Sequence, residues 1–257
     1  MSFESLGAWL AFGLFLGMLL LLELGCRIGS RRLAADPEGA RAGVGAVEGA
    51  TYGLLGLLIA FTFSGAAARF DTRRQLIVEE ANDVGTAYLR LDLLPTEARD
   101  RLREKFRLYL DSRLETYRKF PDIRAVEGEL ARSVAIQNEI WTLAVTATRD
   151  APAPVTTVLL PALNQMIDIT TTRTATARMH PPNIIFLMLG TLALVSAVLT
   201  GYGMAGGKRR SWLHLVAYAA INAGAAYVIL DLEYPRLGLI RIDSFDQVLV
   251  DLRQSMN

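Results

Sequence analysis

Four apolar segments, each about as long as a membrane-spanning helix, constrain this sequence more than any other feature. A helix needs about 20 mostly apolar residues to cross a bilayer. A backbone inside hydrocarbon must also satisfy its own hydrogen bonds, which a helix does. The segments of this length cover residues 6–26, 47–68, 183–204 and 212–230. The sequence therefore predicts an integral membrane protein with four transmembrane helices, with the lipid bilayer as a partner.

The charges around the first segment argue against a cleaved signal peptide. No Lys or Arg precedes residue 6, whereas Arg27, Arg31 and Arg32 follow the apolar run. A secretory signal carries its positive charge before its apolar stretch. We therefore expect the first segment to be retained as a helix.

The stretch between the second and third segments is as charged as a soluble protein. Over the whole chain 52% of residues are hydrophobic and 21% are charged, but the apolar residues collect towards the two ends. In the middle, apolar side chains such as Leu102, Phe106 and Tyr109 recur every three or four residues, which indicates amphipathic helices. No stretch alternates as a strand would, so the predicted fold class is all-α.

Prolines divide this helical sequence. The second segment meets no proline before Pro95, so we expect it to continue beyond the membrane as one long helix. Later breaks at Pro121 and at the APAP run predict helices over 123–148 and 155–179, and we expect a short amphipathic helix over 245–252. The predicted organisation has four parts: two spans (1–68), an extramembrane helical domain (69–181), two more spans (182–232) and an amphipathic C-terminal tail (233–257).

The second span carries glycines at every fourth position, namely Gly45, Gly49 and Gly53. Small residues at this spacing share one helix face and let helix backbones approach closely in lipid, which predicts a packing role. The same span carries three hydroxyl side chains, those of Thr51, Thr62 and Ser64. We therefore expect this span to pack centrally or to line a cavity.

Charged side chains gather where the second and fourth spans end. Arg69 and Arg73 follow the second span, and Asp231 and Glu233 lie at the end of the fourth. Ionisable groups near hydrocarbon usually face protein or water. One interpretation is that these groups pair with one another or with Arg236. The other is that they form a charged ring at the mouth of an assembled pore, where such rings set charge selectivity.

Glu80 belongs to a run of both signs that continues from Arg73. It lies seven residues after Arg73 and on the same side of a helix. This pattern favours a charge-paired contact between helices, with an ion vestibule as the alternative.

Several kinds of chemistry find no support in the sequence. The single Cys26 excludes an intrachain disulfide and a cysteine zinc site, and two histidines are too few for a histidine-rich metal centre. Gly201, Gly203 and Gly206 spell G-x-G-x-x-G, but no strand precedes them, so we interpret them as a flexible turn at the membrane surface. We expect no enzyme activity, no cofactor and, with a net charge of +1, no nucleic-acid partner.

The short loops predict an orientation in a bacterial inner membrane. Cytoplasmic loops carry an excess of Lys and Arg, which places both short loops in the cytoplasm and the helical domain in the periplasm. The basic residues concerned are Arg27, Arg31, Arg32, Arg41, Lys208, Arg209 and Arg210.

Three stretches resemble the bacterial bestrophin-like domain family, a membrane family of unknown function. They read GLLGLLIAFTFSGAAARFDTRRQLIVEEANDVGTAYLRLDLLP, LLPALNQMIDITTTRTATARMHPP and YVILDLEYPRLGLIRID. The resemblance extends from about Gly45 to the end of the chain. It implies a distant likeness to bestrophins, homo-oligomeric anion channels with four spans per subunit and a helical domain between spans two and three. Bestrophins place that domain in the cytoplasm, opposite to the charge count, and no bestrophin gate or ion-binding residue maps onto this sequence.

The leading hypothesis is a homo-oligomeric, channel-like pore lined by the second span. Phe61 and Phe63 would form an apolar constriction that gates by dewetting. The hydroxyls of Thr51, Thr62 and Ser64 would face permeating inorganic ions, while Arg69, Arg73, Glu80, Asp231 and Glu233 would supply charge at the mouth. The alternative hypothesis is a non-conducting interaction or signalling module whose helical insert binds a partner.

Overall fold

The computed structural model describes residues 3–38, 43–149, 151–205 and 211–256, and all regular structure in these ranges is helical. The all-α prediction is therefore confirmed. Several residues named above lie outside the described ranges: Arg41, Gly206, Lys208, Arg209 and Arg210.

Eight α-helices follow one another along the described chain. Two short 3₁₀ turns, Leu91–Leu93 and Asp243–Asp246, precede the third and the eighth helices. The helices are α1 (Phe3–Ala35), α2 (Val44–Arg90), α3 (Thr96–Arg118), α4 (Ile123–Thr148), α5 (Ala153–Arg178), α6 (Asn183–Gly203), α7 (Trp212–Glu233) and α8 (Gln247–Ser255).

Four helical stretches are long and apolar enough to cross a membrane, as the sequence predicts. Their bounds are Leu6–Ala35, Val44–Leu93, Ala153–Gly203 (which includes α6) and Trp212–Glu233.

The chain forms two compact units. The membrane unit comprises Met1–Arg69 and His180–Tyr234, and the insert unit comprises Phe70–Met179 and Pro235–Asn257. The long helix α2 contributes to both, because it continues without a break to Arg90, as the absence of proline predicts. The C-terminal tail belongs to the same compact unit as the helical insert.

In the membrane unit, α1 packs closely against α6 and also contacts α7. Gly25 of α1 lies against the backbone of Val198, and Gly201 of α6 lies against the backbone of Leu22, so neither position has room for a side chain. The prediction of a flexible turn at Gly201 and Gly203 is wrong, since both lie in the last turns of α6. Because Gly201 has no side chain, α6 can approach α1 closely at this position.

The helix α2 is the least covered of the four spans. Only 6% of its most apolar stretch is buried inside the chain, against 22% for those of α1 and α7. Most of its surface is therefore free to contact lipid or another chain.

The insert unit has an apolar core made by the extension of α2 together with α3, α4, α5 and α8. The periodic residues Leu102, Phe106 and Tyr109 are all fully buried there. Helix α4 begins after Asp122, whose carboxylate accepts a hydrogen bond from the Ala125 amide at 3.1 Å. Such a cap satisfies one of the free amides of a helix start. The core fixes where the charged side chains of α2 and α3 meet.

Candidate functional site

The membrane part of α2 carries the predicted pore-lining side chains, and the single chain leaves only some of them open. Phe61 is 68% exposed, and Phe63 and Ser64 are also exposed. Thr62 is buried and donates its hydroxyl to the Leu58 carbonyl, whereas Thr51 is half-buried and donates to the Val47 carbonyl at 2.8 Å. In hydrogen bonds of this kind, the hydroxyl proton is donated to the backbone of the same helix.

The glycine stripe of α2 faces open space within the described chain. A Cβ atom at Gly45, Gly49 or Gly53 would meet no other atom within 4 Å. The stripe continues beyond the predicted positions through exposed Gly56 and Ala60. The four glycines meet none of the other described helices, so a packing role for them needs a partner from another chain.

Another face of α2 is joined to α6 by hydroxyl groups that the sequence interpretation missed. Tyr52 and Thr200 share a hydrogen bond of 2.9 Å. Tyr218 of α7 donates to Ser196 of α6 at 2.7 Å, and its ring meets that of Tyr52 edge-on at 6.3 Å. Isolated hydroxyls within apolar spans are the only sequence signal for such a network. These contacts orient α2 within the membrane unit.

An ion pair joins the membrane ends of α2 and α7. The Arg69 Nε atom donates to Glu233 Oε1 at 2.8 Å and to Oε2 at 3.2 Å, and Nη2 also donates to Oε1. Glu233 is only 1% exposed, and Asp231, two residues earlier, is also buried. Pairing, one of the two interpretations of these charges, therefore describes Arg69 and Glu233 in the single chain.

The other predicted charges lie in the insert unit. Arg73 is buried and donates through Nη2 to the Met179 carbonyl at 2.9 Å. Glu80 is fully buried and accepts from Arg113 Nε at 2.6 Å and from Arg173 Nη1. One buried carboxylate therefore serves two guanidinium groups, and Glu80 is the charge-paired helix contact that its sequence position favours.

Tyr117 lies beside these buried charges, and three guanidinium groups lie close to its ring. Those of Arg113, Arg173 and Arg236 lie 5.3, 4.5 and 4.4 Å from its ring centre, within the range of cation–π attraction. Burial raises the pKa of the Tyr117 phenol, although Arg113 and Arg236 act in the opposite direction. The phenol therefore stays neutral and accepts a hydrogen bond from Arg113 Nη2.

Comparisons with known proteins agree on one family. A family model described as Bestrophin-like domain matches residues 13–244. Two crystal structures of a bacterial bestrophin homologue from Klebsiella pneumoniae, each with a different mutation, are 15% identical and cover 94% of this chain and 98% of theirs with TM-scores of 0.70. A third variant of that homologue is 16% identical, covers 95% of this chain and 98% of its own, and has a TM-score of 0.65. At these identities the structures establish the fold alone. No curated protein matches the sequence.

Proposed function

Because the chain belongs to the bestrophin-like domain family, we propose that it forms a homo-oligomeric ion channel whose pore is lined by α2. Membership of this family supports an ion-channel function. A pore on a symmetry axis requires several copies, each presenting the same surface.

The open surface of α2 carries this proposal. Only 6% of the apolar stretch of α2 is buried, so packing within its own chain stabilises this helix little. Its glycine stripe also contacts none of the described residues of the other helices. Small-residue stripes stabilise helix contacts in lipid, because they let backbones approach closely. Copies of α2 around an axis would use the glycine stripe for contact and leave an adjacent face towards the pore.

Phe61 and Ser64 are the proposed pore-facing residues, because both are exposed on α2 and lie three residues apart on one helix face. Apolar constrictions gate by dewetting, which fits a ring of Phe61 side chains. Phe63, seven residues after Gly56, shares the face of the glycine stripe instead. Thr51 and Thr62 contribute less in this proposal, since their hydroxyls already bond to their own helix. Arg69 and Glu233 act at the mouth as a pair with no net charge.

Recording from the purified protein in planar bilayers tests the proposal. Wild-type protein should pass current, and Phe61→Ala should raise it by widening the constriction. Leu20→Ala is the matched control, because Leu20 is an equally exposed apolar residue on α1 and should leave the current unchanged. Silent bilayers in several salts, from preparations whose oligomers are intact, would contradict the proposal.

A non-conducting interaction module is the second candidate, and exposed apolar residues on the insert favour it. Ile123 and Val134 of α4 are both exposed, although single exposed apolar residues are common on protein surfaces. Cross-linking that recovers one stoichiometric partner, together with silent bilayers, would favour this function over a channel.

We place the protein in the bacterial inner membrane because its spans are helical and long. Loop charges favour a periplasmic insert, whereas the bestrophin layout favours a cytoplasmic one. Glu127→Cys, at an exposed site on α4, resolves this by labelling whole cells with a thiol reagent that does not cross membranes. The background is low because Cys26 is buried.

A further inference from the structure

The helix α2 is too long to lie within a membrane along its whole length. It has 47 residues, whereas about 20 residues of an α-helix cross the hydrocarbon core of a bilayer. Its charged run begins at Arg69, and from Phe70 onwards its residues belong to the insert unit. This part of α2, residues 70–90, therefore contacts water, the rest of the insert or another chain.

One face of this part of α2 packs into the core of the insert. Its fully buried residues are Ile77, Glu80, Val84 and Ala87. Their spacing of three or four residues places them on one side of the helix. A helix at a protein surface normally carries its charged residues on the side opposite to the buried one. In a segment as charged as this one, we therefore expect charged side chains opposite the core.

The face opposite the core is instead uncharged for about four helical turns. Its residues recur every three or four positions and are all exposed: Gln75, Val78, Asn82, Thr86 and Leu89. We name these five residues the uncharged strip. The exposed charges of Asp71 and Glu79 lie at its end and at its edge. A protein interface has this composition, because its centre is poor in charged residues while its rim is polar.

Two members of the strip are large apolar side chains that face open surroundings. Val78 is 42% exposed and Leu89 is 70% exposed. Val78 follows Ala60 by 18 residues, which is five turns of an α-helix. Leu89 follows Gly53 by 36 residues, which is ten turns. The side of α2 that carries the glycine stripe in the membrane therefore carries exposed apolar residues in the insert.

We propose that the uncharged strip is a contact surface for a second copy of this chain, outside the membrane. The inference rests on the homo-oligomer of the proposed function, because a copy that lies against the glycine stripe lies on the side of α2 that continues into the strip. Removing Val78 and Leu89 from water favours this contact. In a ring the contacts are head-to-tail, so the strip meets a different surface of the neighbouring copy.

Photo-cross-linking of the full-length protein in membranes tests the inference. Benzoylphenylalanine, which reacts on illumination with groups lying against it, replaces Leu89 in one variant and Val134 in another. Val134 is the matched control, because it is an apolar residue of α4 that is 50% exposed and lies outside the strip. The Leu89 variant should give a product of twice the mass of one chain that contains this chain alone, and the Val134 variant should give much less. No such product, equal yields from the two variants, or a product with a different protein would overturn the inference.

A charge within the strip should weaken the assembly. At the lowest concentration at which the wild-type particle stays assembled in detergent, Leu89→Glu should shift the particle mass towards that of one chain. Val134→Glu should keep the wild-type mass. Both positions are exposed, so each variant should keep the wild-type helix content. Equal masses for the wild type and both variants would overturn the inference.

The mass and the conductance of the wild-type particle separate this inference from the channel proposal. An assembled particle that conducts but gives no cross-link from Leu89 would overturn the inference alone. A cross-linked assembly that passes no current would overturn the channel alone. A particle of single chains would overturn both.

Discussion

Gly201 lies directly against the carbonyl group of Leu22, so α6 and α1 touch backbone to backbone inside the membrane unit. Gly25 makes the reciprocal contact with Val198. Close approach through small residues is how helices gain packing energy in lipid, where apolar side chains gain little by leaving the solvent. The close packing of α1 on α6 therefore requires glycine at these two positions.

Gly201→Ala should weaken this pairing. The new methyl group would clash with the Leu22 carbonyl group, and a backbone cannot move aside as a side chain can. We therefore expect the free energy of unfolding to fall by about 1–3 kcal/mol. The measurement is the apparent melting temperature in detergent. Gly190→Ala on the same helix is the control, because a methyl group there meets nothing within 4 Å. Equal melting of the two variants would contradict the backbone contact.

Glu80→Gln should destabilise the insert strongly. The substitution leaves Arg113 and Arg173 buried without a carboxylate, which typically costs about 3–5 kcal/mol. Asp71→Asn on the same helix removes a carboxylate whose pair with Arg74 is exposed, and such pairs contribute about 0–1 kcal/mol. Thermal melting of the full chain should separate the two variants clearly, and similar losses would show that Glu80 is not the centre of a buried network.

Glu129 should make the insert sensitive to acid. The hydrogen bond from Lys119, at 2.6 Å, lowers the pKa of the Glu129 carboxyl. A lowered pKa stabilises the fold above the unfolded value of about 4.3, and this stability is lost as the pH falls through the lower folded value. Acid titration of Glu129→Gln should therefore show a smaller loss of stability than the wild type. Glu127→Gln, an exposed substitution on the same helix, is the control for removing a carboxylate from α4. Equal acid losses in Glu129→Gln and the wild type would contradict the prediction.

Helix positions were largely predictable because their signals are local. Helix α4 spans Ile123–Thr148 in both prediction and structure, since Pro121 precedes it and the APAP run follows it. The helix of the first span extends beyond the predicted apolar segment, because the apolar residues end near Cys26 while the helix continues to Ala35. Leaving hydrocarbon does not end a helix whose following residues favour one.

Partners distant in sequence were not predictable in the same way. Periodicity places Glu80 on a helix face, but its partners Arg113 and Arg173 lie 33 and 93 positions away. Gly201 resembles a turn residue because it stands near the end of an apolar segment, and only the neighbouring helix reveals its packing role. Pore-lining residues are equally hard to predict from the sequence, since the assembly of several chains determines which residues face the pore.

Gly49→Leu and Gly53→Leu should break the oligomer without unfolding the chain. Both glycines face open space in the single chain, so a larger side chain meets nothing until another copy approaches. Mass measurement of the detergent-solubilised particle should show smaller assemblies with an unchanged helix content. Gly13→Leu on α1, also at an open position, is the control. If all three variants kept the wild-type mass, the stripe would not be an oligomer contact.

An image of the purified particle, at a resolution that separates helices, tests the central claim most directly. The account predicts several copies around a central axis, with the membrane part of α2 nearest to it and Phe61 facing it. Single chains, or a ring whose axis is lined by α1, α6 or α7, would contradict it.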